Sequence, residues 1–399
     1  MKSAGSTARS PASGAAERLF DVAIVGGGFG GVTAAILLAR KGLKVGLIDL
    51  HPVYPPDFRA EKIAGDQLER LRANGLLDCI VGAATPVKTI INARQGRVID
   101  EKEIDEYGMF YPDMVRVLRD QLPPEVTFMI GRVMEVHNSA DMQRVVLSDG
   151  AQVSARLVII ATGLGDALRK SLGVRRHVLR DAHSLSTGFS IKAADDHPFR
   201  FSGLAYYGDH PSARLDYLSV FPIGEANRVN LFTYRDYSDP WVKKLKANPR
   251  EAVYELIPKA RRFLGDFEIV SKVEFRVIDL MVTESYLQDG FVLIGDAFRT
   301  SCPAVGTGLS RLLADVDRLC NVYAPQWMAT PGMGRDKLAQ FYDDADKKAV
   351  DASSAHSAEY RRSSTIGQGL RWEVHRRQHY LRRRVRNWLR RVTPKSRAA

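Results

Sequence analysis

Residues 20–50 read FDVAIVGGGFGGVTAAILLARKGLKVGLIDL. An apolar run at 22–25 reads as a strand, a glycine turn follows, an Ala/Leu-rich segment to about Arg40 reads as a helix, and a second apolar strand ends at Asp49. That is a βαβ unit. Gly26, Gly28 and Gly31 fit G-x-G-x-x-G between strand and helix. The first glycine permits the tight turn, the second lets backbone N–H groups approach a pyrophosphate, and the third allows close helix–strand packing. The helix N-terminus then faces phosphate charge while Asp49 accepts from ribose hydroxyls. A glycine motif alone is weak evidence; strand, motif, helix and acid in this order predict a bound dinucleotide.

Working outward, 399 residues suggest two domains or one large discontinuous one. The balance of 45% hydrophobic and 26% charged residues is that of a globular chain. No stretch approaches ~18 uninterrupted apolar residues, which argues against a spanning helix. Residues 1–18 are small and polar without an apolar secretory core, and are expected to be a disordered extension, with the folded part starting near Leu19. Cys79, Cys302 and Cys320 show no framework or C-x-x-C spacing and read as reduced cytoplasmic thiols. Residues 361–399 hold 13 Arg/Lys and one acid, Glu373, which accounts for the whole net charge of +12 and leaves residues 1–360 neutral. A basic surface that steers a polyanion belongs to the binding domain itself, so nucleic acid is not expected as a partner.

After prolines 52, 55 and 56, residues 61–75 carry a short helix pattern, 87–92 and 98–104 alternate as strands, and 112–122 is helical before Pro123 and Pro124. Three strand-like runs lie within 126–162, with a hairpin signal at Asp149-Gly150. Residues 199–235 are β-rich, 240–264 return to helix, 272–283 to strand, and LIGDAF is a buried strand entering a loop.

The segment LIGDAFRTSCPAVGTGLSRLLADVDRL (293–319) resembles the second FAD motif of the group A flavoprotein aromatic hydroxylases, the para-hydroxybenzoate hydroxylase-like monooxygenases. That motif runs GDAAHxxxPxxGxGxNxAxxDA, and Gly295, Asp296, Ala297, Pro303, Gly306, Gly308 and Asp315 fall at its positions. The resemblance extends to Arg59, at the place of an arginine near the FAD ribityl-phosphate region. It extends also to LVIIATGLGDALRKSLGV, where Gly163, Arg169 and Gly173 match. Thr162 replaces the aspartate of that family's DG motif, Arg299 the usual histidine after GDA, and Ser310 an asparagine.

The resemblance implies FAD as cofactor, NADH or NADPH as electron donor, O2 as co-substrate, and a Rossmann-like α/β FAD-binding domain with an inserted antiparallel substrate sheet. It implies boundaries at 19–190 and 276–350 for the discontinuous FAD domain, with 83–104 contributing to the substrate sheet, 191–275 for the substrate domain, and 351–399 for a helical Arg-rich tail. FAD would be held by Gly26, Gly28, Gly31, Asp49, Arg59, Gly163, Gly295, Asp296, Gly306 and Gly308. Pro303 would border the reactive face of the flavin, with Arg299 beside it. Gly-x-Ser-x-Gly and H-E-x-x-H are absent and the nine histidines lack metal spacing, so neither a protein nucleophile nor a metal is expected. Tyr206, Tyr217 and Phe221 are the candidates to line the substrate pocket, with Tyr207 and Tyr234 beside them. The expected activity is oxygenation of a small organic, aromatic or lipid-like substrate. The alternative is a reductase, dehydrogenase or halogenase-like flavoenzyme of the same fold, although the halogenase W-x-W-x-I-P motif is absent. In the tail, Leu381, Val385, Trp388, Leu389 and Val392 form one apolar stripe among arginines. Such a helix either adsorbs to an anionic membrane or docks its stripe on protein.

Overall fold

The computed structural model describes residues 18–194 and 198–392; of the extension expected at residues 1–18, residues 1–17 lie outside them and Arg18 opens the first strand. Two sheets organise the chain. The smaller has seven strands and is built around β1 (Arg18–Val25), which lies between β2 (Val45–Asp49) and the strand Gln152–Ile160, parallel to both. Thr127–Ile130 and Phe291–Leu293 add parallel strands, and Val133–His137 with Gln143–Leu147 form the antiparallel edge. The hairpin signal is realised between Gln143–Leu147 and Gln152–Ile160, where Gly150 takes φ +85°. Helix α1 (Phe29–Arg40) follows β1 directly. Its residues from Phe29 to Leu38 are all buried, because helices and strands pack it on every side.

The larger sheet has nine strands, in the order Phe267–Ile269, Arg175–Ala193, Ala226–Thr233, Leu215–Ile223, Gly203–Tyr207, Thr85–Arg94, Arg97–Gly108 and Lys62–Ala64, with Glu274–Glu284 also paired to Arg175–Ala193. It therefore draws on more of the chain than residues 191–275. Its longest strand, Arg175–Ala193, gives no clear sequence signal: its first half is exposed and polar, and register shifts at Val178/Arg180 and Arg180/Ser184 break the alternation. One face of this sheet is a separate core with Trp241, Val242, Leu245, Val253 and Phe267 packed on Leu185, Leu204, Leu218 and Leu231. The helical stretch at 240–264 is cut into pieces at Pro240, Pro249 and Pro258, each at the start of a new turn. Asp239 and Asn248 cap the first two pieces by accepting from the N–H groups of Trp241 and Glu251.

The last part of the chain is helical, and three of its helices matter for the site: α2 (Gly308–Arg318), α3 (Ala345–Ile366) and α4 (Leu370–Val392). Helix α3 runs from α2 to the larger sheet, and α4 lies across the strand Arg97–Gly108. No described helix is long and apolar enough to cross a membrane.

Candidate active site

The glycine turn is held by the acid that ends β2. Asp49 Oδ2 accepts the Gly27 N–H at 2.5 Å, and Gly26 takes φ +106°, where an added Cβ would lie 2.5 Å from the Ala161 carbonyl oxygen. At Gly31 a Cβ would come within 1.8 Å of the Gly26 oxygen, so the third glycine serves helix–strand packing. Gly28 differs. Its Cβ would meet nothing closer than the Tyr111 hydroxyl at 3.5 Å and the Tyr54 ring at 3.6 Å, so the space above this backbone is open. A residue that the sequence does not reveal completes the turn. Arg119 donates to the Gly27 carbonyl through Nε at 3.1 Å and Nη2 at 2.7 Å, and its Nη2 lies 3.4 Å from Asp49.

The second glycine-rich segment meets this turn through Leu312 of α2. A Cβ at Gly30 would lie 2.6 Å from Leu312 Cδ1, and one at Gly295, which has φ +58°, 2.7 Å from the same atom. One side chain thus packs against both glycines and joins the two glycine-rich segments. Arg59 Nη1 donates to Asp296 Oδ2 at 3.2 Å and its Nε donates to Asp57 at 2.5 Å, while Gly163 lies under its guanidinium. Arg59 is held there because the larger sheet grips its segment: Arg276 Nε donates to the Phe58 carbonyl at 2.6 Å, and Arg228 pairs with Glu61 at 2.8 Å between the Phe58 and Phe110 rings. Arg176 donates to the carbonyls of Gly163 and Asp296 at 3.1 and 3.0 Å, joining the DG-like segment to the GDA loop.

The residues brought together fit a dinucleotide. Gly28 leaves a cradle that a Cβ would begin to fill, Gly306 sits in a left-handed turn with no atom within 4 Å of its Cβ position, and Thr162 carries a buried hydroxyl without a partner. That open space, Arg59 and the helix N-terminus suit phosphate and polar ring atoms.

A buried charge cluster fixes the second segment from behind. Asp315 Oδ2 accepts the Gly295 N–H at 2.8 Å and its Oδ1 accepts from Lys347 Nζ at 2.6 Å. Arg311 Nε donates to Asp351 at 2.6 Å, and Lys347 also reaches Asp351 at 3.3 Å. Two cations and two anions thus cross between α2 and α3 out of water. Burial alone would push the Asp351 carboxyl up, but Arg311 and Lys347 together hold it below the usual carboxylate range. Arg299 belongs to this side: its carbonyl accepts from Arg311, and its guanidinium, lowered by burial, has Asp351 and Arg311 as electrostatic neighbours.

Pro303 opens a single helical turn through Val305, and the Tyr217 hydroxyl donates to the Ala304 carbonyl at 3.2 Å. Tyr207, Tyr217 and Phe232 are register partners on three adjacent strands and therefore share one face of the larger sheet. Their rings pack in tilted contact at 6.0 and 4.8 Å, and Leu280 and Val305 close the cluster over buried Cys302. Phe221 lies on that face too, two positions beyond Ser219, and packs under Lys62. Tyr206 does not. It pairs with Leu218 on the opposite face, fully buried in the second core, where its hydroxyl donates to Asp209. Strand alternation puts Tyr207 where Tyr206 was expected. Tyr234 lies past the strand end and donates to Asp216.

Helices α3 and α4 close the far side of this wall. Arg361 makes a two-bond pair with Asp216 at 2.7 and 2.9 Å and covers the Tyr217 ring at 4.9 Å. Arg383 does the same with Asp100 at 2.9 and 3.1 Å. Helix α4 is docked through this polar face, while Leu370, Val374, Leu381 and Val385 are exposed, with Leu381 61% exposed. The side chains of Trp388 and Val392 lie outside those described.

The FAD binding domain family matches residues 20–351. The chain is 28% identical over 351 residues to the ubiquinone hydroxylase UbiL of Rhodospirillum rubrum, covering 83% of this chain and 77% of that protein. It is 25% identical over 349 residues to the 3-demethoxyubiquinol 3-hydroxylase of Escherichia coli, covering 81% and 86%. Among solved structures, p-nitrophenol 4-monooxygenase PnpA from Pseudomonas putida superimposes with a TM-score of 0.72 at 15% identity, over 93% of each chain.

Proposed function

The chain belongs to the FAD binding domain family and to its group A FAD-dependent monooxygenases, and from that premise we propose that it hydroxylates a phenolic ring bearing an apolar substituent, of the quinone-precursor kind. The observation that carries this reading is the aromatic wall of Tyr207, Tyr217 and Phe232 standing against the Pro303 turn. Bound FAD supplies the redox chemistry, taking electrons from NAD(P)H and delivering one oxygen atom from O2 to the substrate. The protein's own part is position and dryness. The glycine turn, Arg59 and Asp296 would hold the dinucleotide. Burial pushes the Tyr217 hydroxyl above its ordinary range, so at neutral pH it stays a neutral donor and keeps the Ala304 carbonyl in place. The rings of the wall exclude water and would face a flat apolar ring. Two relatives are named as acting on ubiquinone or a ubiquinol precursor, which favours this substrate class over small polar acids.

The test is NAD(P)H oxidation by the purified yellow protein against phenols with and without a hydrophobic tail, with isotopically labelled O2. Stimulated oxidation with label in the tailed product is the expected result; label in short polar phenols alone would overturn the substrate class.

A second reading concerns location, and the outward stripe of α4 favours it. Four exposed apolar side chains on one helix face, with Arg377 and Arg384 beside them, suit the surface of an anionic bilayer, where a tailed substrate would also reside.

A further inference from the structure

The inner face of α4 does not close on the sheet by ordinary packing. Between this helix and the strands Thr85–Arg94, Arg97–Gly108 and Gly203–Tyr207 lie two adjoining cavities of about 230 and 540 Å³, which share Tyr207, His375, His379 and Arg383 in their walls. The charges around them do not balance. Arg361 and Arg383 are matched by Asp216 and Asp100. Five further cations, Arg94, Lys102, Arg376, Arg382 and Arg386, also line the space, and none has a carboxylate within salt-bridge distance among the described residues. Arg94 and Arg376 donate to backbone carbonyls, Gly208 and Asp209 for the first and Ser364 and Gly367 for the second, and Glu373 offsets part of the charge of Arg376. Like charges gathered in a partly enclosed space repel more strongly than on an open surface, because the surroundings are less polarisable than water. The strain is visible on His379, whose imidazole is lowered first by burial and then by Arg383, His375, Arg361 and Arg386. An occupant with negative charge would relieve all of it.

We propose that the cleft between α4 and the larger sheet binds a small organic polyanion carrying two or more phosphate or carboxylate groups. The sheet through Lys102 and the helix through Arg382 and Arg386 bring cations to the larger cavity, and the two guanidinium groups can take oxyanions in paired hydrogen bonds. The Tyr207 and Tyr380 rings, 5.9 Å apart and tilted at 60°, border the space beside these cations. None of these side chains belongs to the dinucleotide cradle, so the site is additional to the one that holds FAD. The polyanion could be a soluble metabolite or the head group of a polyphosphorylated lipid, since the chemistry that recognises them is the same.

Inorganic pyrophosphate is the probe, added to the full-length FAD-loaded protein, with sodium chloride of equal ionic strength as control. A saturable rise in Tm of roughly 2–4 °C near a hundredfold excess over Kd is expected for pyrophosphate alone. Arg382→Gln/Arg386→Gln from the helix and Lys102→Gln from the sheet remove exposed charges without partners, so they should leave folding intact and weaken pyrophosphate at least tenfold. A rise no larger than that given by chloride, or equal binding by wild type and both variants, would overturn the proposal. Displacement of pyrophosphate by vesicles containing a polyphosphorylated inositol lipid would identify a head group as the source; failure of such vesicles to compete would identify a soluble anion.

Discussion

Gly28 and Gly31 stand three residues apart in one motif, yet the structure gives them different duties. A Cβ at Gly28 would touch no protein atom closer than 3.5 Å, so Gly28→Val is expected to fold with its methyl groups in the space of the pyrophosphate's approach. The expected result is an unchanged circular dichroism spectrum with FAD lost on gel filtration; a folded variant that stays fully yellow would reject the cradle. Gly31→Ala instead drives a methyl into the Gly26 carbonyl at 1.8 Å and should lower Tm or abolish soluble expression. Asp296→Ala removes the acceptor of Arg59, and loss of one charge-assisted bond should weaken FAD by roughly ten- to a hundredfold, measured by fluorescence titration. Gly26 and Gly31 were legible in the sequence because a positive φ at the one and a close backbone approach at the other exclude side chains, and Asp49 because an acid ends the strand after the glycine turn. Arg119 was not, because it reaches Gly27 from 92 positions away and nothing near it in the chain marks that encounter.

Among the elements, the pair α2 and α3 carries its adhesion in charge. Replacing Lys347 by methionine keeps the length of the side chain but leaves Asp315 and Asp351 facing each other with Arg311 alone, and removing one member of such a buried set costs about 3–5 kcal/mol. Urea unfolding of Lys347→Met against wild type measures this; a change under about 1 kcal/mol would show that water already reaches the cluster. The sign with pH follows from Asp351. Its folded carboxyl lies below the ordinary range, so its contribution is present above the unfolded value of about 3.9 and is lost as pH falls through the lower folded value. Wild type should therefore lose stability in acid over that window, and the difference between wild type and Lys347→Met should shrink there. The helix α1 and both strands around it were readable from apolar runs, whereas Arg175–Ala193 was hidden by its polar half and its bulges. Tyr206 shows the related difficulty: in a strand, adjacent tyrosines point to opposite faces, and which face is the site depends on pairing that sequence does not display.

For the whole molecule, the division of charge proved more informative than its total. A neutral body and a tail with all the net charge left both a membrane contact and docking on protein open, and α4 is seated on the larger sheet through Arg383 and Asp100. Deleting residues 368–399 should still leave FAD bound, because the cradle lies elsewhere, but it uncovers Tyr207 and takes the partner of Asp100 away, so a lower Tm is expected as well. That deletion cannot by itself distinguish a membrane contact from simple loss of a docked helix. Leu381→Glu/Val385→Glu can, since it changes only the outward stripe and leaves Arg361, Tyr380 and Arg383 to hold the inner face. At low salt the wild type should sediment with anionic vesicles, attracted by about 1 kcal/mol per basic residue near the lipid, and the double variant should stay in the supernatant with FAD content and Tm unchanged. Raising the salt should release the wild type in part, because screening removes the charge contribution but not the burial of leucine and valine. If the double variant sediments as well as wild type, the stripe is not the contact. If neither protein sediments, the outward leucines serve something other than a bilayer.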